Sequence, residues 1–160
     1  MITAVLPYLP FWVLRLENDN LKENYIDKSE RDILNNLKEA MTVSAPVMEI
    51  RTVQKGESLS YNRTKQADKK MKIAIIGAGY ADGYPRILSN KGYVLLNGEK
   101  APIVGRICME TMLVDISHIE NVALGDKAYL IGNGLSVKEV ARLAETIPYE
   151  LWCNLGHRQI

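Results

Sequence analysis

Asn97-Gly98 stands between two apolar runs, Tyr93-Val94-Leu95-Leu96 and Ala101 to Ile107. Few dipeptides restrict a chain so tightly. A two-residue hairpin turn needs positive φ at both central positions, which Asn and Gly adopt at least cost, so the flanking runs are drawn into antiparallel pairing. Other short apolar segments share the character of this pair. From Thr42, Val43, Val47, Ile50 and Val53 sit among polar residues in a run that favours strand. Lys72 to Ile76 is a short buried-type run, and Met112 to Ile116 and Lys127 to Ile131 follow. Turns at Lys55-Gly56-Glu57-Ser58, Gly125-Asp126 and Gly132-Asn133-Gly134 separate several of them. So many short strands predict a mainly β domain over 42–160, an antiparallel β-barrel closed or nearly so. Asn62 to Lys70, polar and basic, reads as a surface loop.

Helical periodicity occurs in two places. Ser136 with Glu139 three positions later forms a capping box, and Val137, Val140, Ala141 and Ala144 make an apolar stripe that should end near Ile147-Pro148. Tyr149 to Leu155 then reads as a closing strand. Near the N-terminus, Ser29 with Asp32 opens a short amphipathic helix over 30–41. The barrel is therefore expected to carry one helix in its C-terminal half and a short N-terminal one. Residues 1–41 form a separate region of apolar segment, linker and helix.

Composition excludes several function classes. A formal net charge of +1 gives no reason to expect nucleic acid as a partner. Two cysteines, Cys108 and Cys153, are too few for a disulfide framework, which makes a reducing, cytoplasmic compartment the expectation. With only His118 and His157 besides, no metal-ligand spacing appears. Met1 to Leu14 is apolar but contains Pro7 and Pro10 and falls short of the roughly 20 residues of a membrane span. It also lacks the basic start and small-residue cleavage site of a secretory signal.

Gly77-Ala78-Gly79, with Gly83 beyond, imitates a dinucleotide-binding fingerprint behind an apolar strand. That fingerprint requires a helix opening directly after the glycines to hold a pyrophosphate. Pro85 removes a backbone donor, and too few residues remain before Gly92 for a crossover helix. The nucleotide reading fails.

Gly79-Tyr80-Ala81-Asp82-Gly83-Tyr84-Pro85-Arg86, followed by Ala101-Pro102-Ile103-Val104-Gly105-Arg106-Ile107-Cys108-Met109-Glu110, closely resembles the C-terminal domain of alanine racemases. The resemblance runs from about Met41 to Arg158 and leaves the first forty residues uncovered. It implies a barrel of that family's type and a part in interconverting L- and D-alanine for cell-wall biosynthesis. The cofactor would be pyridoxal phosphate, held by a lysine in an N-terminal (β/α)8 domain. The β-domain would complete the site across a head-to-tail dimer. Gly56-Glu57-Ser58-Leu59-Ser60-Tyr61 matches the pattern whose tyrosine exchanges the α-proton on the face opposite that lysine, so the resemblance makes Tyr61 the catalytic base. Racemisation needs two such groups on opposite faces, with the cofactor as electron sink. A free phenol titrates near pH ~10, so the base requires a cation nearby. By the same resemblance Tyr80 lines the mouth of the site, Met109 offers its backbone to the substrate carboxylate, Tyr149 reaches the cofactor phosphate, and Arg106 lines the channel.

The chain also departs from the family. Asn62 replaces a glycine, Glu110-Thr111 replaces Asp-Gln, and the sequence stops at Gln159-Ile160 where the family continues through Arg-Val-Pro-Arg. The lysine motif is missing. The expectation is a half-site, inactive alone, taking a small amino acid once joined to a cofactor barrel or a second copy. The alternative is a non-catalytic binding or regulatory module that keeps the barrel. Without the resemblance the residues support only a small β-rich domain, in which eight tyrosines against one phenylalanine do packing work.

Overall fold

The computed structural model describes residues 41–60 and 65–155. The expectations for residues 1–40 lie outside these, as does Tyr61. Strands β1 (Val43–Val53), β2 (Ser58–Leu59), β3 (Lys65–Gln66), β4 (Met71–Ile76), β5 (Tyr93–Leu96), β6 (Glu99–Pro102), β7 (Met112–Asp115) and β8 (Lys127–Ile131) precede helices α1 (Val137–Leu143) and α2 (Pro148–Leu155). Six strands form an antiparallel sheet in the order β6-β5-β8-β1-β4-β7, and β2 pairs with β3. A bridge between Ile103 and Val114, with Val104 N–H donating to the Leu113 carbonyl at 2.9 Å, joins the two edges of that sheet. The result is the expected antiparallel barrel, nearly closed.

The central strand explains the curl. β1 pairs with β8 through Val43 to Pro46 and with β4 through Val47 to Val53, and its register slips between Val47 and Glu49. Such a bulge bends a strand and increases its twist, which lets one segment serve two neighbours. Pro46 lacks a donor, but its carbonyl accepts the Gly77 N–H at 3.0 Å. That bond ties the start of the glycine-rich loop to the bend.

The hairpin forms as its sequence requires. Leu96 pairs with Glu99, and Asn97 (φ 52°) and Gly98 (φ 82°) take the positive angles. The strand after it is shorter than the apolar run, because past Pro102 the chain leaves β5 and bridges to β7. Side chains at Val94, Leu96, Ala101, Met112, Val114, Ala128 and Leu130 fill the barrel interior. Full burial of each larger apolar side chain contributes about 1.5–3 kcal/mol.

The glycine-rich stretch holds two single 3-10 turns, Tyr80–Asp82 and Arg86–Leu88, the second opening directly after Pro85. Two expectations need correction. Within the expected loop, Lys65 and Gln66 are strand, paired with Leu59 and Ser58. Tyr149 to Leu155 is helix α2, not a closing strand. Pro148 at the first helical position fixes a helical φ at no hydrogen-bond cost, and Leu151 and Leu155, four apart, are the two that become buried. The C-terminal half therefore carries two helices rather than one. In α1 the stripe Val137, Val140, Ala141 and Ala144 is buried as expected, and the Ser136 hydroxyl accepts the Lys138 N–H at 3.1 Å. Among the described residues no helix is long and apolar enough to cross a membrane.

Candidate active site

Two loops that follow strands build the site. Residues 77–84 leave β4, and residues 103–111 connect β6 to β7. Their contact is main chain against main chain. Tyr80 N–H donates to the Cys108 carbonyl at 3.0 Å, and Ala81 N–H donates to the Met109 carbonyl at 2.9 Å. Gly79 permits this approach: a Cβ there would stand 2.3 Å from the Cys108 carbonyl oxygen and 2.4 Å from that of Met109. No side chain fits between them. The Asp82 carboxylate accepts the Gly79 N–H at 2.9 Å, closing the turn on itself.

Further bonds fix the second loop from behind. Asn90 Oδ1 accepts the Gly105 N–H at 2.7 Å, and Ser89 Oγ accepts the Ile107 N–H at 3.0 Å. Arg106 is thereby held at both flanks by the chain just after the second 3-10 turn. Its carbonyl accepts the Ser60 hydroxyl at 2.7 Å. Ser60, at φ 62°, is the last described residue before Tyr61, so the sequence neighbour of the expected base is anchored to the Arg106 loop.

Two adjoining hollows result. One, of ≈ 580 Å³, is lined by Tyr80, Arg86, Arg106, Met109 and their neighbours through Thr111. The other, of ≈ 350 Å³, shares Arg86 and Arg106 and adds Ile87, Ser89 and Asn90. Among the described residues, Arg86 and Arg106 outnumber the one acidic residue, Glu110, in the lining of the larger hollow, a balance that favours an anionic group. Arg106 Nε is buried and has no hydrogen-bond partner among the described residues, the kind of unmet donor that a ligand can satisfy. Met109 is 56% exposed and Tyr80 42% exposed, so the rim carries apolar surface a folded domain ordinarily covers. The Met109 carbonyl is engaged, while among the described residues nothing accepts its N–H.

The structure thus brings three of the expected residues, Tyr80, Arg106 and Met109, to one hollow. Tyr149 sits half-buried in the first turn of α2 and lines neither hollow. The other end of α2 meets the site loop, where a Cβ on Gly83 would lie 2.0 Å from the Asn154 carbonyl oxygen. Sequence reasoning misses Arg86 and Asp82 as site residues. Arg86 follows Pro85, where a turn is legible but its direction is not. Asp82, like Asp115, carries no spacing that selects acid–base work, and both prove to be turn caps, Asp115 accepting the Ser117 N–H at 2.9 Å.

The hairpin side is structural. Lys100 Nζ lies 4.2 Å from the Tyr93 ring centroid and 3.7 Å from the Glu139 carboxylate, joining β6 to α1. The Tyr93 hydroxyl, then Lys100, hold the Glu139 carboxyl below its ordinary value.

Residues 40–160 match the family described as alanine racemase, C-terminal domain. The alanine racemase of Halothermothrix orenii is 42% identical over 137 residues, covering 82% of this chain and 36% of that protein. That of Lawsonia intracellularis is 47% identical over 121 residues, covering 72% and 32% respectively. Among solved structures, alanine racemase from Bartonella henselae with covalently bound pyridoxal phosphate superposes with a TM-score of 0.74 at 39% identity, over 76% of this chain and 34% of that one. The biosynthetic enzyme of Pseudomonas aeruginosa gives 0.74 at 39%, over 79% and 35%. This chain spans about a third of the length of the relatives it matches.

Proposed function

The chain belongs to the family of alanine racemase C-terminal domains, and from that premise we propose that it supplies one half of a pyridoxal-phosphate-dependent amino-acid racemase site. The other half is a lysine-bearing barrel domain, docked on the rim formed by Tyr80 and Met109. The substrate is a small amino acid, alanine in the first instance.

One observation carries the reading: the Cys108–Met109 peptide, its Cys108 carbonyl tied to the Tyr80 N–H, leaves the Met109 N–H without an acceptor among the described residues, on a segment that lines a hollow with two arginines. A main-chain N–H held in this way suits a carboxylate oxygen, and it costs no reorganisation when the ligand arrives. The residues present fit the amino-acid side of such a site. Among the described residues no lysine lines either hollow, so these residues offer no covalent hold for the cofactor there. Pyridoxal phosphate, when bound, supplies the electron sink that makes the amino-acid Cα–H acidic.

The chain's own residues then have distinct tasks. Arg86 and Arg106 draw the substrate's carboxylate toward the hollow. Met109 N–H orients its carboxylate, and Tyr80 narrows the opening and limits water. Tyr61 moves the α-proton on one face, and Tyr149 binds the cofactor phosphate through its hydroxyl.

Mixing the chain with a lysine-bearing alanine racemase barrel domain and pyridoxal phosphate tests this. The expected result is conversion of L-alanine to D-alanine that neither component achieves alone. A demonstrated complex without racemisation would support the reading as a binding or regulatory module, to which Glu110-Thr111 in place of Asp-Gln already points.

A further inference from the structure

The turn that carries Tyr80 is held by a carboxylate with no part in the chemistry above. Asp82 Oδ2 accepts the Gly79 N–H at 2.9 Å, and the Asp82 N–H returns to the Gly79 carbonyl at 3.2 Å. Residues 79 and 82 are thus bound in both directions across one 3-10 turn. The first backbone donors of any helical turn lack partners within it. Here the first is taken by the carboxylate, which leaves the next two, Tyr80 N–H and Ala81 N–H, pointing together at the carbonyls of Cys108 and Met109. These two bonds, 3.0 Å and 2.9 Å, hold the Met109 peptide from the β4 side. The Cys108 N–H closes the same segment on the Thr111 carbonyl at 2.8 Å. Met109 and Glu110 form an exposed tip with no buried side chain to fix it, so hydrogen bonds set its position.

We infer that Asp82 is a positioning residue: its carboxylate shapes the turn whose two amides clamp the Met109 main chain in the orientation that receives the substrate carboxylate. This rests on the reading of Met109 given above. The carboxylate acts through two intervening peptides and touches no substrate atom. Its loss should loosen substrate binding and leave the proton transfer itself nearly intact.

Two measurements test it, on Asp82→Ala and Asp82→Asn. In the chain alone, amide hydrogen exchange at Gly79, Tyr80 and Ala81 should rise about tenfold or more in Asp82→Ala, the loss of one charge-assisted bond. Exchange at Val94 and Val114 in the sheet should stay unchanged. Asp82→Asn keeps an acceptor oxygen and should restore most of the protection. In the mixture with the cofactor barrel, Asp82→Ala should raise KM for alanine about tenfold with kcat within about threefold of the wild type. Unchanged exchange at Tyr80 and Ala81 would overturn the inference. So would faster exchange spread equally over the sheet, or a fall in kcat at constant KM. If the wild-type mixture fails to racemise at all, the proposed function falls, while the exchange measurement still decides whether Asp82 holds the turn.

Discussion

Gly83 lies so close to Asn154 that a Cβ on the glycine would stand 2.0 Å from the Asn154 carbonyl oxygen. The last turn of α2 therefore rests on the loop that carries Tyr80, main chain to main chain. Gly83 also has φ 88°, where an L-residue is strained. Gly83→Ala should destabilise the domain by at least about 2 kcal/mol, from left-handed strain and overlap together. Urea unfolding followed by Trp152 fluorescence in a Trp12→Phe background would show a lowered midpoint. An unshifted midpoint would mean that helix and loop are not in the contact described.

Tyr84, next in sequence, is 1% exposed, and among the described residues its hydroxyl has no hydrogen-bond partner. An unpaired buried hydroxyl costs about 1–3 kcal/mol. Tyr84→Phe, which keeps the ring, should be neutral or stabilising by up to about 1 kcal/mol in chemical denaturation. A loss of stability would reveal a partner for the hydroxyl.

The same residue sets an alkaline pH dependence. Burial, with a smaller effect from Tyr93, pushes the Tyr84 phenol well above its ordinary value of 10.0. The unfolded chain then releases this proton at a pH where the folded chain keeps it. The contribution is fully present below pH ~10 and declines as pH rises beyond it. Unfolding free energy should therefore fall more steeply above that pH in the wild type than in Tyr84→Phe. Parallel slopes would contradict the burial.

Arg106 joins a buried Nε, unpaired among the described residues, to a position at the hollow. Replacing it by Ala removes a donor that nothing in the described fold satisfies, so stability should change by less than about 1 kcal/mol. In the mixture with the cofactor barrel, KM for alanine should rise about tenfold, since a cation at the hollow is lost. Large destabilisation without a change in KM would assign Arg106 to the scaffold.

What could be read from residues alone followed from local chemistry. Asn97-Gly98 specified its hairpin because positive φ is an intrinsic property of those two residues. The α1 stripe was legible because apolar residues repeat at helical spacing above a Ser cap. Tyr149 to Leu155 misled because so short a segment is compatible with either period. Burial of Leu151 and Leu155 against the rest of the fold chose the helix. Lys65-Gln66 was illegible as a strand because its pairing is wholly supplied by Ser58-Leu59 across the connection. At the site, motif resemblance pointed to Tyr80, Arg106 and Met109, and the structure gathers them. The grip of Tyr80 and Ala81 on the opposite carbonyls is a tertiary relationship between main chains, on which side-chain identity leaves one mark, the bare Cα of Gly79.

The central claim is that this chain brings a proton-transfer group to a cofactor held by another domain. Tyr61→Phe tests it most directly, assayed as D-alanine formed from L-alanine by the mixture with the lysine-bearing barrel and pyridoxal phosphate. The variant should join the complex as the wild type does and lose at least about 100-fold in racemisation rate, the usual effect of deleting a proton-transfer group. Racemisation at the wild-type rate by the Tyr61→Phe complex would contradict the account.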